Sequence, residues 1–154
     1  MSERVEIDLD GALGDTRPLW DAFLVDAARR FATIARLDPT ALPHDRVAAA
    51  EKLDAWAATG VGDWRVALTR FAEDHAPVHL RPDPAANASL RAIKSRGARI
   101  VVTTDAPAEL ARVALALLGV ARSVDEVRAG VPRLDGVLTS AHELAAAAGY
   151  HQAE

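Results

Sequence analysis

The stretch VEIDLDGALGDT, residues 5–16, decides the fold. Val5, Ile7 and Leu9 alternate with polar residues, the period of a β-strand. The strand ends on two carboxylates one residue apart, Asp8 and Asp10, and Gly11 follows. Two like charges at the end of a buried strand repel unless something positive lies between them. The expectation is a strand that delivers Asp8 and Asp10 to a site. The plainer alternative is a turn that only closes the strand. An EF-hand is excluded, because aligning Gly11 to the required glycine of that loop puts Arg17 where a bidentate Glu belongs.

Helical periodicity takes over after this stretch. Thr16 with Pro18 marks a helix start, and Trp20, Phe23, Leu24, Ala27, Phe31 and Ile34 form one apolar face. LDPTALP (37–43) breaks that helix. A second helix is predicted over about 45–58, with Val47, Ala50, Leu53 and Ala57 on one side. A third, capped by Asp63, carries Trp64, Leu68 and Phe71. RPDP (81–84) begins another helix, with Asp83 as N-cap and Gly97 just past its end. RIVVTT (99–104) is β-branched and apolar, a buried strand, and DAP (105–107) opens a helix closed by Gly119. VDEV (124–127) is expected as a short third strand. Asp135 is expected to open a last helix with Leu138, Ala141, Ala145 and Ala148 facing inward.

Strands separated by helices imply parallel βαβ units. The helices between 17 and 80 are too many for one crossover and form a helical insert after the first strand. A chain of 154 residues, half of them hydrophobic, can bury one real core. The formal net charge of −4 and the lack of a long basic run argue against nucleic acid as a partner. No cysteine is present, which removes disulfides, thiol catalysis and thiolate metal sites. MSERVEID is neither a signal peptide nor a membrane span, so a cytoplasmic protein without membrane contact is expected.

Ligands of open parallel sheets bind beyond the carboxyl ends of the strands. Asp8 and Asp10 lie at that edge of the first strand, and Thr103 and Thr104 at the same edge of the second. A hard cation such as Mg²⁺ with a phosphate would reconcile the two carboxylates. One carboxylate could then attack phosphorus while the other moves protons. A threonine hydroxyl and the start of the next helix could hold phosphate oxygens. Other constellations are weaker. His75 and His79 are four apart, but Pro77 between them disfavours a continuous helix and no third ligand follows. Trp20, Trp56 and Trp64 sit at core spacing. The pairs Arg29–Arg30 and Arg96–Arg99 fit solvated faces. No serine lies in a GxSxG turn.

IDLDGAL (7–13), IVVTTDAP (100–107) and the helix ending ALLGV (116–120) together resemble the haloacid dehalogenase superfamily, most of whose members are phosphatases. The resemblance, in its phosphoglycolate-phosphatase-like branch, covers essentially the whole chain. It implies an α/β fold: a reduced Rossmann-like parallel sheet of about three strands with an α-helical cap inserted after the first. The core would be 1–16 and 81–154, and the cap 17–80. It implies Asp8 as nucleophile, Asp10 as general acid/base, and Mg²⁺ held by Asp8 and the backbone carbonyl of Asp10. Thr104 would bind phosphate, with Thr103 as the fallback and Asp105 beside them. The expected activity is Mg²⁺-dependent hydrolysis of a small phosphorylated metabolite through an aspartyl-phosphate. The alternative is a non-catalytic binding or structural protein.

Three departures from the family pattern bear on this choice. Ala12 replaces the threonine of DGT. In GVPRLDGVLTSAHELAAAAGY (130–150), similar to the family's GKPxPDxxLxAAxxLG, Val131 stands in the place of the lysine. The sequence then stops at GYHQAE, where the family's fourth strand and its acidic motif would begin. The first strand is therefore expected at an open sheet edge. Such edges recruit a further strand, and a homodimer follows as the expected state.

Overall fold

The computed structural model describes residues 3–35 and 38–149. Three strands, β1 (Arg4–Asp8), β2 (Arg99–Thr103) and β3 (Glu126–Arg128), form one parallel sheet in the order β1-β2-β3. Six helices accompany them: α1 (Arg17–Ala35), α2 (Arg46–Ala58), α3 (Trp64–His79), α4 (Pro84–Ser95), α5 (Ala108–Leu118) and α6 (Ala141–Ala147). The register pairs Ile7 with Val102 and Asp8 with Thr103, so the two strands end level. This is the α/β fold with a parallel sheet that the alternation of strands and helices predicts.

The helix starts follow side-chain chemistry. Asp45, Asp63 and Asp83 each accept the amide of the residue two further on, and so satisfy a donor that has no intrahelical partner. Gly119 closes α5 in the left-handed conformation, its amide returning to Leu115 and Ala116. Two expectations fail. The helix α3 runs unbroken through Pro77 to His79. The cost of the ring there, about 3 kcal/mol, is offset by Leu68, Ala72 and Ala76, buried along one face. The last helix does not begin at Asp135 and does not carry Leu138. It begins after Ser140, whose hydroxyl oxygen accepts the Glu143 amide at 3.1 Å while Glu143 accepts the Thr139 amide at 3.0 Å. This is a capping box, and it outweighs the start signal at Asp135.

Leu138 instead pairs with the outer side of β1. Its amide donates to the Glu6 carbonyl at 3.0 Å, and its carbonyl accepts the Asp8 amide at 2.8 Å. The edge expected to be open is occupied at its centre by the chain itself. One continuous apolar cluster joins the sheet to the helices of the insert: Ile7, Ile100 and Val102 with Leu110, Leu68, Trp64, Trp20 and Phe23. Trp20 and Trp64 are buried, edge to face at 6.3 Å, and the Trp64 indole donates to Asp54 at 2.9 Å. The tryptophans are core residues, Trp56 at its margin. Phe31 and Ile34 of the predicted α1 face, and the end of the chain from 150 on, lie outside the described side chains.

Candidate functional site

The chain leaves β1 in a tight turn over Leu9–Leu13. The Gly14 amide reaches back to the Leu9 carbonyl at 3.1 Å, and the Gly11 amide donates to the Gly14 carbonyl at 2.7 Å. Leu9, Ala12 and Leu13 are buried and hold the turn to the core. Gly11 has φ +115°, and a Cβ there would lie 2.4 Å from the Thr139 carbonyl oxygen. Only glycine fits, and this turn aims Asp8 and Asp10 at the carboxyl end of the sheet.

A cleft of about 390 Å³ opens at that end. It is lined by Asp8, Asp10 and Gly11 from the β1 turn, Thr104 and Asp105 from the end of β2, and Asp15, Arg17, Arg46 and Arg133 around them. Asp8, Asp10, Thr104 and Asp105, singled out from the sequence, therefore share one cleft. Thr103 does not line it; it is buried in the sheet, level with Asp8. Val131 is not among the lining residues either, and its amide donates to the Thr104 carbonyl at 3.3 Å. The cation on this loop is Arg133, two residues on.

Asp10 is surrounded by donors. Its Oδ1 accepts the Thr16 amide at 2.8 Å and the Thr16 hydroxyl at 2.5 Å. Its Oδ2 accepts Arg46 Nη2 at 2.7 Å and the Thr104 hydroxyl at 2.8 Å. A carboxylate has about four acceptor positions, so all are filled. Burial pushes the Asp10 carboxyl up, but Arg46 and the Thr16 and Thr104 hydrogen bonds together hold it below the usual carboxylate range. The two hydroxyls are themselves fixed: Thr16 accepts Arg46 Nη1 at 2.7 Å, and Thr104 accepts the Ala106 amide at 3.1 Å. Arg46 also reaches Asp105 Oδ1 through Nε at 3.0 Å and Nη2 at 2.6 Å. Its side chain is 2% exposed, so its charge is fully invested in these partners.

Asp8 is in a different state. Its Oδ1 accepts the Asp10 amide at 3.2 Å, and its Oδ2 faces Arg133 Nε at 3.0 Å. Burial pushes the Asp8 carboxyl up; Arg133 pulls it back, and Asp10 adds to the rise. The net direction is upward, opposite to Asp10.

Arg46, Arg133, Thr16 and Arg17 were not expected from the sequence. Arg17 bonds the His44 carbonyl at 2.8 Å and lies 3.7 Å from Asp105 Oδ2. One signal was available for Arg46. It is the first residue of α2, directly after the Asp45 cap, where a cation opposes the helix dipole. A residue placed against that preference has partners elsewhere.

The Mg²⁺ expected at Asp8 and Asp10 can be tested against these donors. Both Asp10 oxygens are filled, one Asp8 oxygen faces Arg133, and among the described residues no three His, Asp or Glu side chains gather in a metal-binding group. A hard cation needs several free oxygens, so this set does not fit it. His75 stacks on Phe71 at 4.1 Å, and neither it nor His79 enters such a group.

No protein-family model matches the chain, and no curated protein matches it significantly. Among solved structures it is similar to a Thermotoga maritima protein assigned as a beta-phosphoglucomutase, at 20% identity and TM-score 0.48, over 86% of this chain and 64% of that one. It is also similar to the L-2-haloacid dehalogenase from Xanthobacter autotrophicus, solved with chloropropionic acid covalently bound, at 14% identity and TM-score 0.42, over 84% of this chain and 57% of that one. The chain thus spans less than two thirds of either structure's length. No helix among the described residues is long and apolar enough to cross a membrane.

Proposed function

We propose that the protein is a haloacid-dehalogenase-like hydrolase that cleaves a small phosphate monoester through Asp8. One observation carries the reading: Asp8 lies at the carboxyl end of β1, in a cleft that also holds Asp10, Thr104 and three arginines. In the proposed step an Asp8 oxygen bonds to phosphorus, the bond from phosphorus to the leaving oxygen breaks, and water later releases phosphate from Asp8. The leaving oxygen needs a proton. Asp10 is the candidate donor, but its four bonds and its lowered pKa hold it ionised in the state described. The substrate anion is therefore assigned a second task, to draw Arg46 away from Asp10 so that Asp10 can take up a proton. No step runs through Mg²⁺, since the donors do not fit it.

A second reading is favoured by that same saturation of Asp10: a protein that binds a phosphorylated ligand without turning it over. A homodimer in the cytoplasm stays part of the proposal. Its expected route, the β1 edge, is taken by Leu138, which leaves the β3 edge, where Val127 is 43% exposed.

Turnover of an aryl phosphate, measured with Mg²⁺ and with a chelator, tests the reading. Slow turnover that Asp8→Asn abolishes is expected. Activity unchanged in that variant would remove Asp8 from the chemistry. Phosphate binding with no turnover at all would select the second reading.

A further inference from the structure

The cleft carries four carboxylates, Asp8, Asp10, Asp15 and Asp105, and three guanidinium groups, Arg17, Arg46 and Arg133. The positive charge between the carboxylates comes from the chain. Arg46 bridges Asp10 and Asp105, and Arg133 faces Asp8. The two arginines differ in freedom. Arg46 has Nε, Nη1 and Nη2 all engaged and is buried, so it is a fixed counter-charge. The Arg133 side chain is 66% exposed and meets Asp8 through Nε. A guanidinium held at one nitrogen can turn its remaining donors to an oxyanion lying over Asp8, and its planar fork matches two oxygens at once.

We propose that Arg46 and Arg133 are the resident cations of the cleft, and that Arg133 captures a phosphate-class oxyanion without a divalent metal. This rests on the phosphate reading of the site and goes beyond it. It assigns the anion-contacting side chain, and it removes the metal requirement that two neighbouring carboxylates would otherwise impose. Arg133 thereby stands in for the lysine missing at Val131, from a position two residues further along the same loop.

The test uses inorganic phosphate as the probe. Its binding to the whole chain is followed by thermal unfolding and by calorimetric titration, once with excess chelator and once with millimolar Mg²⁺. The wild type is expected to bind phosphate with the same affinity in both. Arg133→Ala, at an exposed position and checked for folding by circular dichroism, is expected to bind about ten- to a hundred-fold more weakly in chelator, the size of a lost charge-assisted hydrogen bond. Arg133→Lys is expected to fall between the two, keeping the charge and losing the fork. Phosphate binding that appears only with Mg²⁺, undiminished binding by Arg133→Ala, or no phosphate binding in either condition overturns the proposal. The two readings fail separately. Chelator-resistant, Arg133-dependent binding without turnover removes hydrolysis and leaves this inference in place. Mg²⁺-dependent turnover abolished by Asp8→Asn does the reverse.

Discussion

Four acceptor positions on Asp10 meet four donors, and one of those donors carries a full charge that is itself out of water. Breaking a buried ion pair by removing one partner leaves the other uncompensated, at about 3–5 kcal/mol. Arg46→Ala is therefore expected to lower the free energy of unfolding in urea by about that amount. The effect depends on pH in a fixed sense. Asp10 has a folded pKa below its unfolded one, so its contribution is complete above the ordinary carboxylate value of about 4 and is lost as pH falls through the folded pKa. Asp8 has the opposite sign: its raised pKa favours folding at low pH, and that gain is lost as pH rises through the folded value. The stability difference between wild type and Arg46→Ala is thus expected to shrink on acidification below pH ~4. A constant difference across that range would mean that Arg46 acts through packing alone.

At the scale of the element, the β1 turn and the 137–139 segment hold each other. Gly11 needs its positive φ, and any side chain there meets the Thr139 carbonyl. Gly60, in the turn between α2 and α3, has φ +91° with nothing within 4 Å of a built Cβ. Gly60→Ala is expected to cost about 1–2 kcal/mol, the strain of the backbone alone. Gly11→Ala adds a backbone collision and is expected to cost about 2–4 kcal/mol, read as a lower urea midpoint at unchanged slope. Equal costs would show that the Thr139 contact yields easily. The strands and most helices were legible because their signals are local: alternation in 5–9, an apolar run in 99–104, an aspartate at each of three helix starts. Leu138 was misplaced because its spacing to Ala141 and Ala145 is helical, and because a single pair of bridging bonds to β1 leaves no periodic trace. The capping box at Ser140 and Glu143 was visible in the sequence and was outweighed there by Asp135 and Gly136.

At the scale of the molecule, one apolar cluster runs from the sheet through the helices of the 17–80 insert. Trp20, Trp56 and Trp64 all lie in that insert, so tryptophan fluorescence reports on it, while far-ultraviolet circular dichroism reports on the whole chain. The two are expected to give coincident urea transitions. Two separated transitions would mean that the insert unfolds by itself. Half of the candidate site was legible for a related reason. Asp8, Asp10 and Thr104 are strand ends, and a parallel sheet brings strand ends together by topology. Arg46 and Arg133 come from a helix and a loop whose place over the sheet is set by tertiary packing, which no local pattern encodes.

The reach of Arg46 also fixes an order of assembly. Its partners Asp10 and Asp105 are 36 and 59 residues away along the chain, on either side of it. Two long loops must close before the guanidinium meets both carboxylates, and each closure costs chain entropy before the contact repays it. The cleft therefore acquires its internal counter-charge only once β1, α2 and the end of β2 have come together. Until that moment the acidic groups remain hydrated and apart. A finished binding site in this chain is a late event of folding, completed with the last long-range contacts.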